Sequence, residues 1–143
     1  MAFELISVSK PASVNSEQRV VARFIAGLHR EAARRLRGHL PLSGDLYARI
    51  IWFHQHQTGD LDNIIKPILD ALIGVCYPND HLVVKCSCEK VDLTAGEIVL
   101  SASTTPPAVF DRLVDLLGRD HDHILYVEVG ERPSRDLYFG PIR

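Results

Sequence analysis

Between Gly59 and Gly74 the apolar residues follow a pattern with one reading. Ile64, Ile65, Ile68, Leu69, Leu72 and Ile73 recur at i, i+1, i+4, i+5, i+8 and i+9. One face of a helix is then wholly apolar and needs a partner layer. Gly74 closes the run. Pro67 limits where this helix can start. In a helix interior it removes a backbone bond and clashes with the carbonyl four residues back, at about 3 kcal/mol. With Asn63 as N-cap, Pro67 falls at the end of the first turn, where that penalty is small. The expectation is a helix from near Asn63, with Gly59–Asp62 extended or looped ahead of it.

The rest of the chain supplies the partner layers. Phe3 to Val8 alternates weakly and reads as a first strand, broken by Lys10-Pro11. Val20, Val21, Phe24, Ile25, Leu28, Ala32 and Leu36 mark a helix over 17–37, with Ser16 placed to cap it. Leu46 to Phe53 is a strand by its Tyr, Ile, Trp and Phe content. Leu82 to Val91 and Glu97 to Ala102 read as strands joined in a hairpin through Thr94-Ala95-Gly96. Beyond Thr104-Thr105-Pro106-Pro107 come a short helix (Val109 to Leu117) and a strand (Ile124 to Val129). This order predicts an α+β fold: one domain, a small mixed β-sheet packed against helices, with a C-terminal αβ extension. The expected division is a core over 1–103 and an extension over 104–143 on the same domain.

Several function classes drop out. No apolar run approaches the ~20 residues needed to span a bilayer. The N-terminus lacks the basic and apolar regions of a secretory signal. Three cysteines, an odd number, favour reduced thiols and a cytoplasmic protein. Cys86-x-Cys88 offers two soft ligands where a structural zinc site wants about four. The plain expectation is that both point from a strand into the core. No glycine-rich phosphate loop or nucleophile elbow marks a small-molecule substrate. Net charge is −2, but it is unevenly spread. Residues 16–39 hold six arginines against Glu17 and Glu31, while 40–143 is acidic. A basic helix beside an acidic body can meet phosphates while the acids hold metal.

Asp60 and Asp62 stand two residues apart. On a helix they would diverge, and on an extended segment they project to the same side. Just ahead of a helix N-terminus they also lie where the dipole favours anions, phosphate included. Lys66 lies one turn further on, with Asp70 as its four-residue partner. Asp80 falls in the turn before the next strand and returns to the cluster if helix and strand pack side by side. Three hard oxygen ligands with room for water suit Mg²⁺, or Mn²⁺ in its place. Such an ion activates water and stabilises charge at phosphorus. Ordinary helix capping by Asp60 or Asp62 is the simpler alternative.

The run Asp60-Leu-Asp-Asn-Ile-Ile-Lys66-Pro-Ile-Leu-Asp70-Ala-Leu, followed by Asp80-His-Leu-Val-Val, resembles the RusA family of Holliday junction resolvases. Pro11-Ala-Ser13-Val-Asn15 faintly resembles that family's N-terminal stretch. The resemblance implies a metal-dependent endodeoxyribonuclease acting on branched DNA as a homodimer. It implies Asp60, Asp62 and Asp80 as metal ligands, and Lys66 as an aid at the scissile phosphate. Arg30, Arg34, Arg35, Lys66 and Lys85 are the expected DNA contacts. Where members often carry arginines before the first Asp, this chain reads His56-Gln57-Thr58-Gly59. The alternative is a junction-binding protein that kept the scaffold and lost efficient cleavage. His54-x-His56 and Asp120-His121-Asp122-His123 read as polar strand ends and turns rather than soft-metal sites. Trp52 reads as core.

Overall fold

The computed structural model describes residues 2–55, 59–96 and 106–132. The chain runs β1 (Ala2–Ser7), α1 (Gln18–Arg35), β2 (Leu46–His54), α2 (Leu61–Ala71), a 3₁₀ turn (Asp80–Leu82), β3 (Val83–Asp92), α3 (Pro107–Leu117) and β4 (His123–Glu131). The expected α+β fold is the one observed. The strand expected over 97–102, its hairpin, His56 and the tail beyond Arg132 lie outside the described residues.

The sheet order is β1-β4-β2-β3. β4 pairs antiparallel with both β1 and β2. The segment expected as an extension therefore places its strand inside the sheet. β2 pairs parallel with β3, and a parallel pair needs a crossover. α2 and the 3₁₀ turn make that crossover, so Asp60 enters it and Asp80 leaves it.

Alternation along the strands divides the core in two. Leu46, Ala48, Ile50 and Trp52 of β2, with Leu125, Val127 and Val129 of β4, pack with the buried residues of α1 and α2. Phe53, Ile124 and Tyr126 point the other way, against Val109, Leu113 and Leu116 of α3. A sheet covered on both faces needs near-continuous apolar strands, which is what β4 carries. No described helix is long and apolar enough to cross a membrane.

Two local expectations are corrected. Ser16 does not cap α1; Glu17 is the N-cap and makes no side-chain cap bond. Ser16 Oγ instead accepts from the Ser13 N–H at 3.3 Å, so it shapes the loop before the helix. Cys86 is exposed and only Cys88 packs on the core. Among the described residues β3 is an edge strand, and most of its residues are exposed.

Gly130 in β4 has no room for a side chain. A Cβ there would lie 2.8 Å from Tyr47 Cε1 and 2.9 Å from its hydroxyl oxygen. That hydroxyl donates to Glu128 Oε2 at 2.6 Å. Gly130→Ala must displace the ring and strain this bond. It is expected to cost about 1–3 kcal/mol, read as a lower urea midpoint at unchanged slope. An unchanged midpoint would mean that the ring moves aside freely.

Candidate active site

α2 starts earlier than Pro67 suggested. Leu61 is its first residue, and Asp60 is the N-cap in an extended conformation (φ −86°, ψ 134°). Asp62 stands in the first helical turn. The expected extended pair is therefore corrected: Asp60 lies outside the helix and Asp62 inside it. The physical reason is an outside partner. Pro67 cannot bond the Asn63 carbonyl, and the Val14 N–H takes that carbonyl at 2.9 Å. With the carbonyl satisfied from another segment, part of the proline's cost disappears. The far end of α2 is held in the same manner. Tyr77 donates its hydroxyl to the Leu69 carbonyl at 2.6 Å, and His29 Nδ1 lies 2.9 Å from the Ala71 carbonyl.

Asp62, Lys66 and Asp70 follow at four-residue spacing and share one helix face. Lys66 Nζ lies 2.8 Å from Asp70 Oδ1 and 2.6 Å from Asp80 Oδ2. Asp80 comes from the 3₁₀ turn, where Asn79 Oδ1 accepts from the His81 N–H at 3.2 Å. Hydrogen bonds to Asp70 first, and then to Asp80, push Lys66 up to about 12. The Lys66 hydrogen bond holds Asp80 below the usual carboxylate range. Both groups are thus charged throughout the neutral range.

Asp60 stands apart from that cluster. It is exposed, with its Oδ2 3.5 Å from Asn63 Nδ2. It lines a shallow cleft of about 290 Å³ with Lys10, Ser13, Ser16, Gly59 and Asn63. Trp52 lies beneath Gly59, where a Cβ would come 3.2 Å from Cη2. Lys90 Nζ donates to the Gly59 carbonyl at 2.7 Å. Among the described residues neither Asp60 nor Asp62 makes an ion pair. Nor is any group of three His, Cys, Asp or Glu among them gathered to hold a metal. Exposed carboxylates without a cation of their own suit a hard ion such as Mg²⁺ in donor chemistry. Asp80 differs, because Lys66 already occupies it.

The basic residues also divide. Arg30 and Arg34 line a groove of about 690 Å³ beside α1. Arg34 also lines a second cavity, where it is joined by Arg35, Glu4 and Arg112. Lys85 is exposed on β3. Lys10, Arg23 and Lys90 reach this region without having been singled out as site residues. The spacing of Arg23, Arg30 and Arg34, seven and then four, was the available signal. Trp52 is core, as expected, at 2 % exposure. It stacks on His123 and donates its Nε1–H to His123 Nδ1 at 3.1 Å. Burial holds His123 below the usual imidazole range, which keeps that nitrogen an acceptor.

Residues 11–100 match the sequence profile of the endodeoxyribonuclease RusA family. The chain belongs to the RusA family. It is therefore a nuclease of the Holliday junction type. Among curated proteins none matches the chain. The RusA match takes in α1, β2, α2 and β3, which carry Asp60, Asp62, Lys66, Asp70 and Asp80. β1, α3 and β4 lie outside it. It opens at Pro11, on the loop whose Val14 bonds Asn63. The faint N-terminal resemblance thus has a physical counterpart, since that loop lets α2 start at Leu61.

Proposed function

We propose that this RusA-family nuclease works with Mg²⁺, or Mn²⁺ in its place, held by Asp60, Asp62 and Asp80. Lys66 assists at the scissile phosphate of a four-way junction, and the protein acts as a homodimer. The observation that carries the reading is the Lys66 ammonium fixed between Asp70 and Asp80, on the face it shares with Asp62. A charge held this way needs little reorganisation when a phosphate arrives, which is the condition for electrostatic catalysis. Its three donors can serve Asp70 and a phosphate oxygen together. With Asp80 as a ligand of the ion, Asp70 would keep Lys66 oriented. The N-terminal end of α2 adds a positive dipole beside Asp60. When bound, the divalent ion supplies an activated water and neutralises charge building on the phosphate. Arg30, Arg34, Arg35 and Lys85 hold the backbone of the junction arms.

Calorimetric titration with Mn²⁺ tests the ligand set. Asp60→Asn, Asp62→Asn and Asp80→Asn should each weaken binding by about tenfold or more; wild-type affinity in all three contradicts it. Two symmetric incisions call for a two-fold dimer. A sedimentation mass near one 16.0 kDa chain, unchanged with junction DNA, contradicts the dimer.

A further inference from the structure

We infer that the groove between α1 and the segment 9–16 is a channel that carries DNA backbone phosphates to the cleft at Asp60. The inference deepens the junction-nuclease reading and rests on it. The groove measures about 690 Å³ and is lined by Lys10, Arg23, Arg30 and Arg34. Its one acidic residue, Glu31, accepts a hydrogen bond from Ser9 Oγ at 3.2 Å. Four cations against one carboxylate make a local positive channel on a chain whose net charge is −2. An acidic protein cannot rely on its overall field to attract a polyanion. It needs such a channel to hold DNA by counterion release.

The channel follows the helix. Arg23, Gly27, Arg30 and Arg34 fall at i, i+4, i+7 and i+11, one stripe beside the buried Phe24, Leu28 and Ala32. That stripe spans roughly 16 Å at the helical rise, roughly five nucleotide steps of a duplex strand. Gly27 sits in its middle. A glycine inside a helix is destabilising relative to alanine, and this one keeps the channel floor free of a side chain. Its backbone is not in the left-handed region, and a Cβ would lie 3.9 Å from Arg30 Nη2, in ordinary contact. Nothing in the local conformation therefore demands glycine. The channel also leads somewhere: Lys10, Pro11 and Ser16 line both the groove and the Asp60 cleft. Lys10 stands at that junction and contributes its charge to both.

The test is fluorescence anisotropy of the full chain on a labelled synthetic four-way junction, in EDTA, from about 50 to about 200 mM salt. Lys10→Gln and Arg30→Gln should each lower the slope of log affinity against log salt by about one. Arg119→Gln, an equal change of charge just beyond α3 on a residue that lines neither cavity, should leave the slope unchanged. Gly27→Leu changes no charge and favours the helix, so thermal melting should stay at or above wild type. It should still weaken binding about tenfold by displacing phosphate contacts. The channel is overturned if Arg119→Gln acts as Arg30→Gln does, or if Gly27→Leu binds like wild type. These readouts need no cleavage. Losses at the channel residues in a protein that never cuts DNA uphold the channel and overturn the nuclease reading. A protein that cuts junctions while all four variants bind alike overturns the channel alone.

Discussion

Asp62→Asn is expected to slow junction cleavage by at least about 10³-fold, roughly 4 kcal/mol of transition-state stabilisation, while junction binding persists. The side chain is exposed in the first turn of α2 and makes no ion pair among the described residues. Asparagine keeps its size and removes its charge, so folding should change by no more than about 1 kcal/mol. A first-turn acid favours its helix only by roughly 0.3–1 kcal/mol. A large loss of rate at constant stability therefore reports chemistry. If the rate falls only a few-fold, Asp62 is an ordinary first-turn acid and drops out of the ligand set. Single-turnover cleavage of a radiolabelled junction, beside a urea melt of the same preparation, separates the two.

Lys66→Ala should cost about 10²–10³-fold in cleavage, again with little loss of stability. Its side chain is 60 % exposed, and pairs of that kind contribute about 0–1 kcal/mol. The pH dependence follows from the two shifts. Asp80 is held low, so its contribution to stability is complete above its unfolded value of 3.8 and fades as pH falls through the folded value. Lys66 is held high, so its contribution is complete below 10.5 and is lost as pH rises through about 12. Between those windows the pair is constant, and stability should be flat with respect to this pair across the neutral range. In Lys66→Ala the Asp80 carboxyl should climb back toward the ordinary range, followed by carbon NMR of the carboxyl signal. A carboxyl that titrates as in wild type would mean that Lys66 does not govern Asp80. Lys66→Arg keeps the charge but not the compact ammonium, and should recover the rate only in part.

Much of the fold could be read from periodicity. The stripe from Ile64 to Ile73 located α2 because Ile64, Ile68 and Leu72 are buried in the core it shares with α1 and the sheet, with Ile65, Leu69 and Ile73 half-buried against it. The strand at 124–129 was legible for a similar reason, since both of its faces are covered. Its place between β1 and β2 was not legible, because strand order depends on long-range pairing that leaves no local period. The start of α2 was misplaced for a definable reason. Pro67 is costly when the helix is taken alone, while the group that relieves it, the Val14 N–H, arrives from a loop far away in sequence. Asp62 consequently shares a face with Lys66 rather than with Asp60. Spacing along α2 anticipated the Lys66–Asp70 pair, and a side-by-side return of β3 brought Asp80 to Lys66. The arginine-rich helix was visible as charge, yet the fold was needed to show that Arg30 lines one groove, Arg35 another cavity and Arg34 both.

Metal-dependent cleavage of branched DNA is tested most simply by incubating the purified wild-type chain with a synthetic four-way junction in Mg²⁺. A linear duplex of the same sequence and a parallel reaction in EDTA serve as references. Paired, symmetry-related nicks in the junction, absent from the duplex and abolished by EDTA, are the predicted result. An uncut junction in both Mg²⁺ and Mn²⁺, or equal cutting in EDTA, would contradict it.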